Sequence, residues 1–236
     1  MKLHPLGGLC NRLNAIFSYR SVYPELTIEW ADLHQVGGTQ WDEVFEPIPG
    51  LTFVTGPDLP SIPDGGELEL GPDFVANNHP CKTANPNWPT TLKLLKLLPE
   101  HQETLGKLMP REPYSAIHVR RTDFKKQTWA PQTTDDEFLR WIRDVSRGPV
   151  YVATDNGTTQ IEYLTRIVDM GREGIVLTGI REHADQDKHD HRNTGLSHAA
   201  IDLFMCAGST LFMGTRGSSF STMIGLLHNL NYWWLT

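Results

Sequence analysis

The feature that most limits what this chain can fold into is an alternation in its second half. Short apolar runs at 114–119, 150–153, 175–177 and 211–213 are each followed by a polar loop. Stretches with helical spacing then follow at 134–146, 159–169, 197–207 and 220–228. Parallel strands need long crossover connections, and helices supply them. Regular alternation of this kind therefore predicts a parallel sheet wrapped by helices. In such sheets ligands bind at the carboxyl ends of the strands. Three loops are expected at that edge, 118–123, 154–157 and 214–219.

The first of these loops, His118-Val119-Arg120-Arg121-Thr122-Asp123, puts two arginines, a histidine and an aspartate at the end of a strand. Arginine holds planar or tetrahedral oxyanions with paired hydrogen bonds, which makes phosphate the natural guess. The third loop carries Gly217-Ser218-Ser219 in front of a helix, and a helix N-terminus suits anions. Together the two loops make a diphosphate the economical ligand. The plainer alternatives are a surface ion pair between Arg121 and Asp123 and simple helix capping by the serines. Asp202 lies within the helical stretch 197–207, flanked by Ile201 and Leu203. An acid on such a helix is expected to face solvent. If it faces a site instead, its two oxygens match the N1–H and 2-amino donors of guanine, a pattern adenine lacks.

In the first half, residues 1–6 form a short, mostly apolar run before Gly7-Gly8-Leu9-Cys10-Asn11-Arg12. Leu13, Ile16 and Phe17 follow at helical spacing. Strand, glycine turn, helix is the expected order. Strands are expected at 26–30 and 51–55, and a short helical turn packing two aromatics at 41–45. The stretch 59–89 is rich in Pro, Gly and Asn and is expected to be irregular, with a short strand at 67–70. A helix is expected from 91, interrupted at Pro99 and continuing to 108. Pro110-Arg111-Glu112-Pro113 has the composition of a linker, so two α/β halves are expected, 1–109 and 110–236.

The 236 residues carry a net charge of -7, and no basic block is present, which argues against a sequence-blind nucleic-acid partner. No window holds the roughly 18 continuous apolar residues of a membrane span, and residues 1–20 lack a signal pattern. Three scattered cysteines, Cys10, Cys81 and Cys206, fit a reducing cytosol better than a disulfide framework or a zinc site. The loop from His183 to Arg192, with Asp185 and Asp187, contains metal-ligand residue types. Crowded ligand types specify no geometry, so a solvated loop is expected there.

Four pieces, in this order, resemble the fucosyltransferase superfamily, which includes α1,6- and α1,2-fucosyltransferases and protein O-fucosyltransferases. They are Gly7-Gly8-Leu9-x-Asn11-Arg12, His118-Val119-Arg120-Arg121-Thr122-Asp123, Val152-Ala153-Thr154-Asp155, and Asp202-Leu203 with Gly214-Thr215-x-Gly217-Ser218-Ser219. The mid-chain piece is most similar to the α1,6 group. The resemblance implies an α/β, GT-B-like fold, with two Rossmann-like parallel-sheet halves facing a cleft. It further implies an inverting transfer from GDP-fucose to a glycan or other hydroxyl acceptor, with no metal required. Position by position, it implies that Arg120 holds the β-phosphate and stabilises the leaving GDP. His118 and Asp202 would contact guanine, Ser218 and Ser219 would bind phosphate, and Arg121 would belong to the same nucleotide-sugar site. Gly8 and Asn11 would close the site from the first half, and Asp123 is the candidate base. The chain departs from the pattern at Cys10, where a glycine is common. It also lacks the glutamate that α1,6 enzymes place after the equivalent of Asp123. No anchor or stem of the Golgi kind is visible, so a bacterial or viral cytosolic enzyme is expected. The alternatives are the same fold using GDP-mannose or a rhamnosyl donor, or a degenerate member that binds nucleotide or glycan without turnover.

Overall fold

The computed structural model describes residues 1–31, 36–56, 68–71, 74–77, 80–121, 133–177 and 195–230. The chain divides into two compact units, Met1–Pro99 and Glu100–Thr236. Each is built on its own sheet.

The first unit carries a five-stranded sheet in the order β3-β2-β1-β5-β4. Strand β1 (Lys2–Pro5) leads through the glycine turn into helix α1 (Leu9–Arg20). Strands β2 (Leu26–Trp30) and β3 (Leu51–Thr55) follow. All three are parallel, as the resemblance implies. In β2 the side chains of Leu26, Ile28 and Trp30 are buried and those between them half-buried, so alternation marks one core face. Strand β4 (Leu68–Gly71) lies close to the expected short strand. Strand β5 (Phe74–Asn77) corrects the expectation that the rest of 59–89 is irregular. It pairs in parallel with β1 and antiparallel with β4, so it is an inner strand of the sheet. Four residues between glycine, proline and asparagine are too short to show a period.

A 3₁₀ turn at Trp41–Glu43 presents the expected aromatics. Trp41 stacks between Phe45 and Phe53, with ring centroids at 4.4 and 4.3 Å, and Trp30 meets it edge-on at 5.6 Å. The helix expected from 91 is instead a 3₁₀ segment, Trp88–Leu94. Helix α2 (Pro99–Leu108) begins at Pro99 rather than being interrupted there. Proline suits the first helical position, because its missing N–H would have no intrahelical partner anyway.

The second unit carries a four-stranded sheet, β8-β7-β6-β9, parallel throughout. Its strands are β6 (Ser115–Val119), β7 (Val150–Thr154), β8 (Gly174–Ile175) and β9 (Leu211–Gly214). Its helices are α3 (Asp135–Asp144), α4 (Gly157–Asp169), α5 (Leu196–Ala207) and α6 (Ser219–Asn229). Every residue of β6 and β7 is buried, because both faces of the sheet are covered. Ile117, Val119, Val150 and Val152 pack with Phe138 and Ile142 of α3 and with Tyr163 and Ile167 of α4. The other face meets α5, which also packs on α6. From β6 the chain moves one way to β7 and β8, then returns to place β9 on the other side of β6. The order therefore reverses between β6 and β9, and ligands in open α/β sheets bind beside such a reversal.

Among the described residues, no helix is long and apolar enough to cross a membrane. The observed architecture is α/β with two Rossmann-like halves, as expected.

The glycine turn of the first unit is held from inside. Arg12, fully buried, donates from Nε to the Gly7 carbonyl and from Nη1 to the Ala31 carbonyl, each at 2.7 Å. Its guanidinium also lies over the Trp30 ring, 4.6 Å from the centroid. Arg12→Met fills similar volume but leaves two carbonyls without their charged donor. The expected loss is roughly 2–4 kcal/mol of stability, read as a lower urea midpoint, and Arg12→Lys should recover little because it lacks the two-pronged fork.

Candidate functional site

The edge of the second sheet where β6 meets β9 is organised by backbone and side chain together. Strand β6 ends at Val119, so Arg120 and Arg121 begin the loop. The Arg120 N–H donates to Thr215 Oγ1 at 2.9 Å. The Thr215 hydroxyl and N–H both donate to the His118 carbonyl, at 3.0 and 3.1 Å. The loop after β6 and the loop after β9 are thus tied together. Asp155, just beyond β7, supplies a second tie. Its Oδ2 meets Arg120 Nη1 at 3.2 Å, and its Oδ1 accepts the Arg121 N–H at 2.8 Å. Asp155 is 4% exposed, so this is a fixed contact and not a fluctuating surface pair. Arg121 extends to Asp135 in the first turn of α3, which also accepts the Tyr163 hydroxyl at 2.7 Å.

His118 sits on the α5–α6 face of the sheet. Its Nδ1 shares a hydrogen bond with Ser221 Oγ at 2.7 Å, and its ring stacks on Phe220 at 4.6 Å. Burial, helped by the Arg120 charge, lowers its pKa to about 3. The ring is therefore neutral at ordinary pH, able to donate at one nitrogen and accept at the other. Gly214, at the end of β9, makes this contact possible. A Cβ there would come within 2.6 Å of Ser221 Cβ and Oγ.

Asp202 departs from the expected solvent-facing position. It is 8% exposed and accepts the Tyr151 hydroxyl at 2.5 Å. The cause is the helix that carries it: α5 is covered on one side by the sheet and on another by α6, so most of its residues are buried. Burial raises the Asp202 pKa to about 7, with the Tyr151 hydrogen bond pulling the other way. Tyr151 stands opposite Ala116 in the register, on the same sheet face as His118. Burial and the Asp202 charge push the Cys206 thiol up as well.

Ser218 caps α6, accepting from the Ser221 N–H at 3.5 Å, and is buried; Ser219 is the first residue of the helix. The plainer alternative for this pair, helix capping, is thus filled by Ser218. Gly8 is the N-cap of α1 in the first unit. Before it, Gly7 holds φ 77, and a Cβ there would come within 2.8 Å of Asn11 Nδ2, so both the left-handed turn and the packing of Asn11 favour glycine at this position. Asp123, the candidate base, lies outside the described residues, as do Asp185 and Asp187.

The structure therefore brings His118, Arg120, Arg121, Ser218 and Ser219 to one strand edge. It places Asp202 deeper, on Tyr151. Sequence reasoning assigned no role to Asp155, Thr215, Ser221 or Tyr151. Asp155 had a usable signal, an acid in one of the three loops expected at the same sheet edge. Tyr151 had none, since a tyrosine in an apolar run suggests only core.

His118 and Asp202 make opposite contributions to stability against pH. His118 has a folded pKa below its usual 6.5, so its stabilisation is present above 6.5 and lost as pH falls toward 3. Asp202 has a folded pKa above its usual 3.8, so its stabilisation is present below 3.8 and lost as pH rises through 7. Between about pH 4 and 6.5 the two slopes oppose one another. Relative to wild type, Asp202→Asn should gain stability as pH rises from 4 to 8, and His118→Gln should lose it from 3 to 6.5. Thermal unfolding across pH checks both signs, and parallel curves for all three proteins would refute the assignment.

No protein-family model matches the sequence, and no curated protein matches it. Solved structures match by fold. NodZ α1,6-fucosyltransferase soaked with GDP-fucose superposes with a TM-score of 0.62 at 14% identity, over 96% of this chain and 92% of that one. Fucosyltransferase NodZ from Bradyrhizobium gives 0.59 at 13% identity over the same shares. POFUT1 in complex with GDP gives 0.57 at 12% identity, over 98% of this chain and 94% of that one. Near-complete coverage at such low identity is a likeness of architecture, and by that likeness this chain has a fucosyltransferase-like, GT-B-like fold.

Proposed function

We propose that the chain is an inverting glycosyltransferase that moves fucose from GDP-fucose to a glycan or other hydroxyl acceptor. The second unit would hold the donor at its strand edge. The observation that carries this reading is the fixed position of Arg120 at the strand-order reversal, held by Asp155 at 3.2 Å and tied through its N–H to Thr215. The start of α6 lies on the adjoining loop, where helix N–H groups favour an anion. His118 and Asp202 are the proposed guanine contacts, and Arg121, Ser218 and Ser219 the proposed phosphate contacts. The three cysteines are thiols, which fits the proposed cytosolic setting.

In the proposed reaction the acceptor oxygen attacks the anomeric carbon from the face opposite the diphosphate. A bond forms between that oxygen and the anomeric carbon. The bond from this carbon to the β-phosphate oxygen breaks, and its electron pair leaves with GDP. The acceptor proton passes to a base, for which Asp123 is the candidate. Charge grows on the departing phosphate, so donors placed in advance lower the barrier by stabilising it. A base contributes less, typically ~10²–10⁴-fold.

Arg120→Lys keeps a charge but loses the fork. If Arg120 acts on the developing charge, kcat should fall by about 10²–10³-fold with little change in melting temperature. Turnover and thermal stability measured on the same purified protein decide this. Near-normal turnover in a folded variant would remove the residue that the assignment depends on.

Activity should also survive EDTA, because arginines and helix N–H groups supply positive potential for the diphosphate without a cation. GDP release from GDP-fucose, followed with and without chelator, is the assay. Loss in EDTA with recovery in manganese would point instead to metal-dependent chemistry at a loop such as that of Asp185 and Asp187.

A further inference from the structure

A third arginine stands at this strand edge, and none of the motifs assigns it. Arg216 follows Thr215, the residue that bonds to Arg120, and precedes the cap of α6. Its own N–H donates to Thr133 Oγ1 at 2.9 Å, which fixes its backbone beside the start of α3. Its guanidinium reaches Glu137 in the first turn of α3, Nη2 to Oε1, at 2.8 Å.

Three arginine–carboxylate pairs therefore share this edge, and they differ in burial. The side chains of Arg120 and Asp155 are 13% and 5% exposed, those of Arg121 and Asp135 13% and 60%, and those of Arg216 and Glu137 55% and 32%. Water and salt weaken an exposed pair far more than a buried one. Of the three guanidiniums, that of Arg216 is the most exposed and so the easiest to release.

Glu137 is also built to let it go. The glutamate's other oxygen, Oε2, accepts from the Thr134 N–H at 2.8 Å and the Thr134 hydroxyl at 3.1 Å, and Thr134 Oγ1 accepts the Glu137 N–H at 3.2 Å. That reciprocal pair caps α3 by itself. Arg216 can leave Oε1 without uncapping the helix.

We propose that Arg216 is a donor-binding side chain that exchanges Glu137 for the diphosphate of the bound nucleotide, and that Glu137 competes with the ligand for it. This rests on the reading of the edge as a nucleoside diphosphate site. A diphosphate carries more charge than one carboxylate and offers an arginine two parallel bonds. Glu137 weakens binding in two ways: it holds Arg216 back, and it places a negative charge near the incoming anion. After transfer the same contact recaptures Arg216, which favours release of the nucleoside diphosphate product.

The test titrates GDP and inorganic pyrophosphate, in separate calorimetric experiments, into the full chain and into Arg216→Ala and Glu137→Gln. Glutamine at this helix position keeps the capping box, so Glu137→Gln removes the charge and spares the cap. Arg216→Ala should weaken both ligands by about tenfold, the loss of one charge-assisted contact. Glu137→Gln should tighten both by roughly two- to fivefold, the release of an exposed pair. A merely structural ion pair predicts lower melting temperatures and no opposed shifts in affinity; unchanged affinities, or shifts of the same sign, overturn the proposal. UDP and ADP are titrated alongside. Equal affinity for all three nucleotides with opposed shifts in the variants would sink the guanine reading and leave Arg216 in place. GDP preference without those shifts would sink Arg216 alone, and a wild-type chain that binds neither GDP nor pyrophosphate removes both.

Discussion

One carboxylate, at the end of β7, sets the geometry on which the second unit's strand edge depends. Asp155 takes a side-chain nitrogen of Arg120 with one oxygen and the backbone N–H of Arg121 with the other. A loop carrying two adjacent arginines would otherwise spread through many conformations, and ordering it on a ligand would cost binding free energy. Because Asp155 is itself buried, that ordering is achieved as the chain folds. Thr215 completes the frame from the opposite side by joining the β9 loop to the backbone of β6. A preorganised guanidinium needs little rearrangement when charge develops near it, the condition under which electrostatic stabilisation is largest.

The first unit solves a related problem with the charges reversed. There the turn after β1 needs a left-handed Gly7, and an arginine buried beneath it takes the carbonyls of Gly7 and Ala31. In both units a strand end that must keep an open backbone is braced by a charged side chain from a neighbouring element. The brace is buried and the face it supports is left for other contacts.

The second sheet was legible in the sequence because its strands are buried on both faces and its helices are long enough to show a period. Strand β5 was not legible, since four residues carry too little pattern to outweigh the surrounding proline, glycine and asparagine. Pro99 was misplaced for a related reason: a proline marks a boundary, but whether it ends one helix or begins another depends on which side packs. The arginines were visible as chemistry at a strand end. Of their partners, Asp155 showed as an acid in a loop of the same expected edge, whereas Thr215 and Asp135 did not, because they reach the arginines across gaps in sequence that only the fold closes. Asp202 shows the limit of a helical wheel, which identifies an apolar face but not that a second helix covers the remaining one. The resulting environment, a carboxyl beside a tyrosine hydroxyl with a pKa near 7, is a property of packing alone.

The close approach of Gly214 to Ser221 has a consequence for how this site can vary. Any side chain at 214 would push the first turn of α6 away from β9, taking Ser221 off His118 and shifting Phe220 from its ring. These positions form a block in which single changes are penalised and compensating ones must arrive together. Diversity introduced by random point mutation should therefore collect elsewhere on this edge, at exposed residues such as Arg216. A library meant to alter ligand preference would search more productively by holding the block fixed and varying that rim.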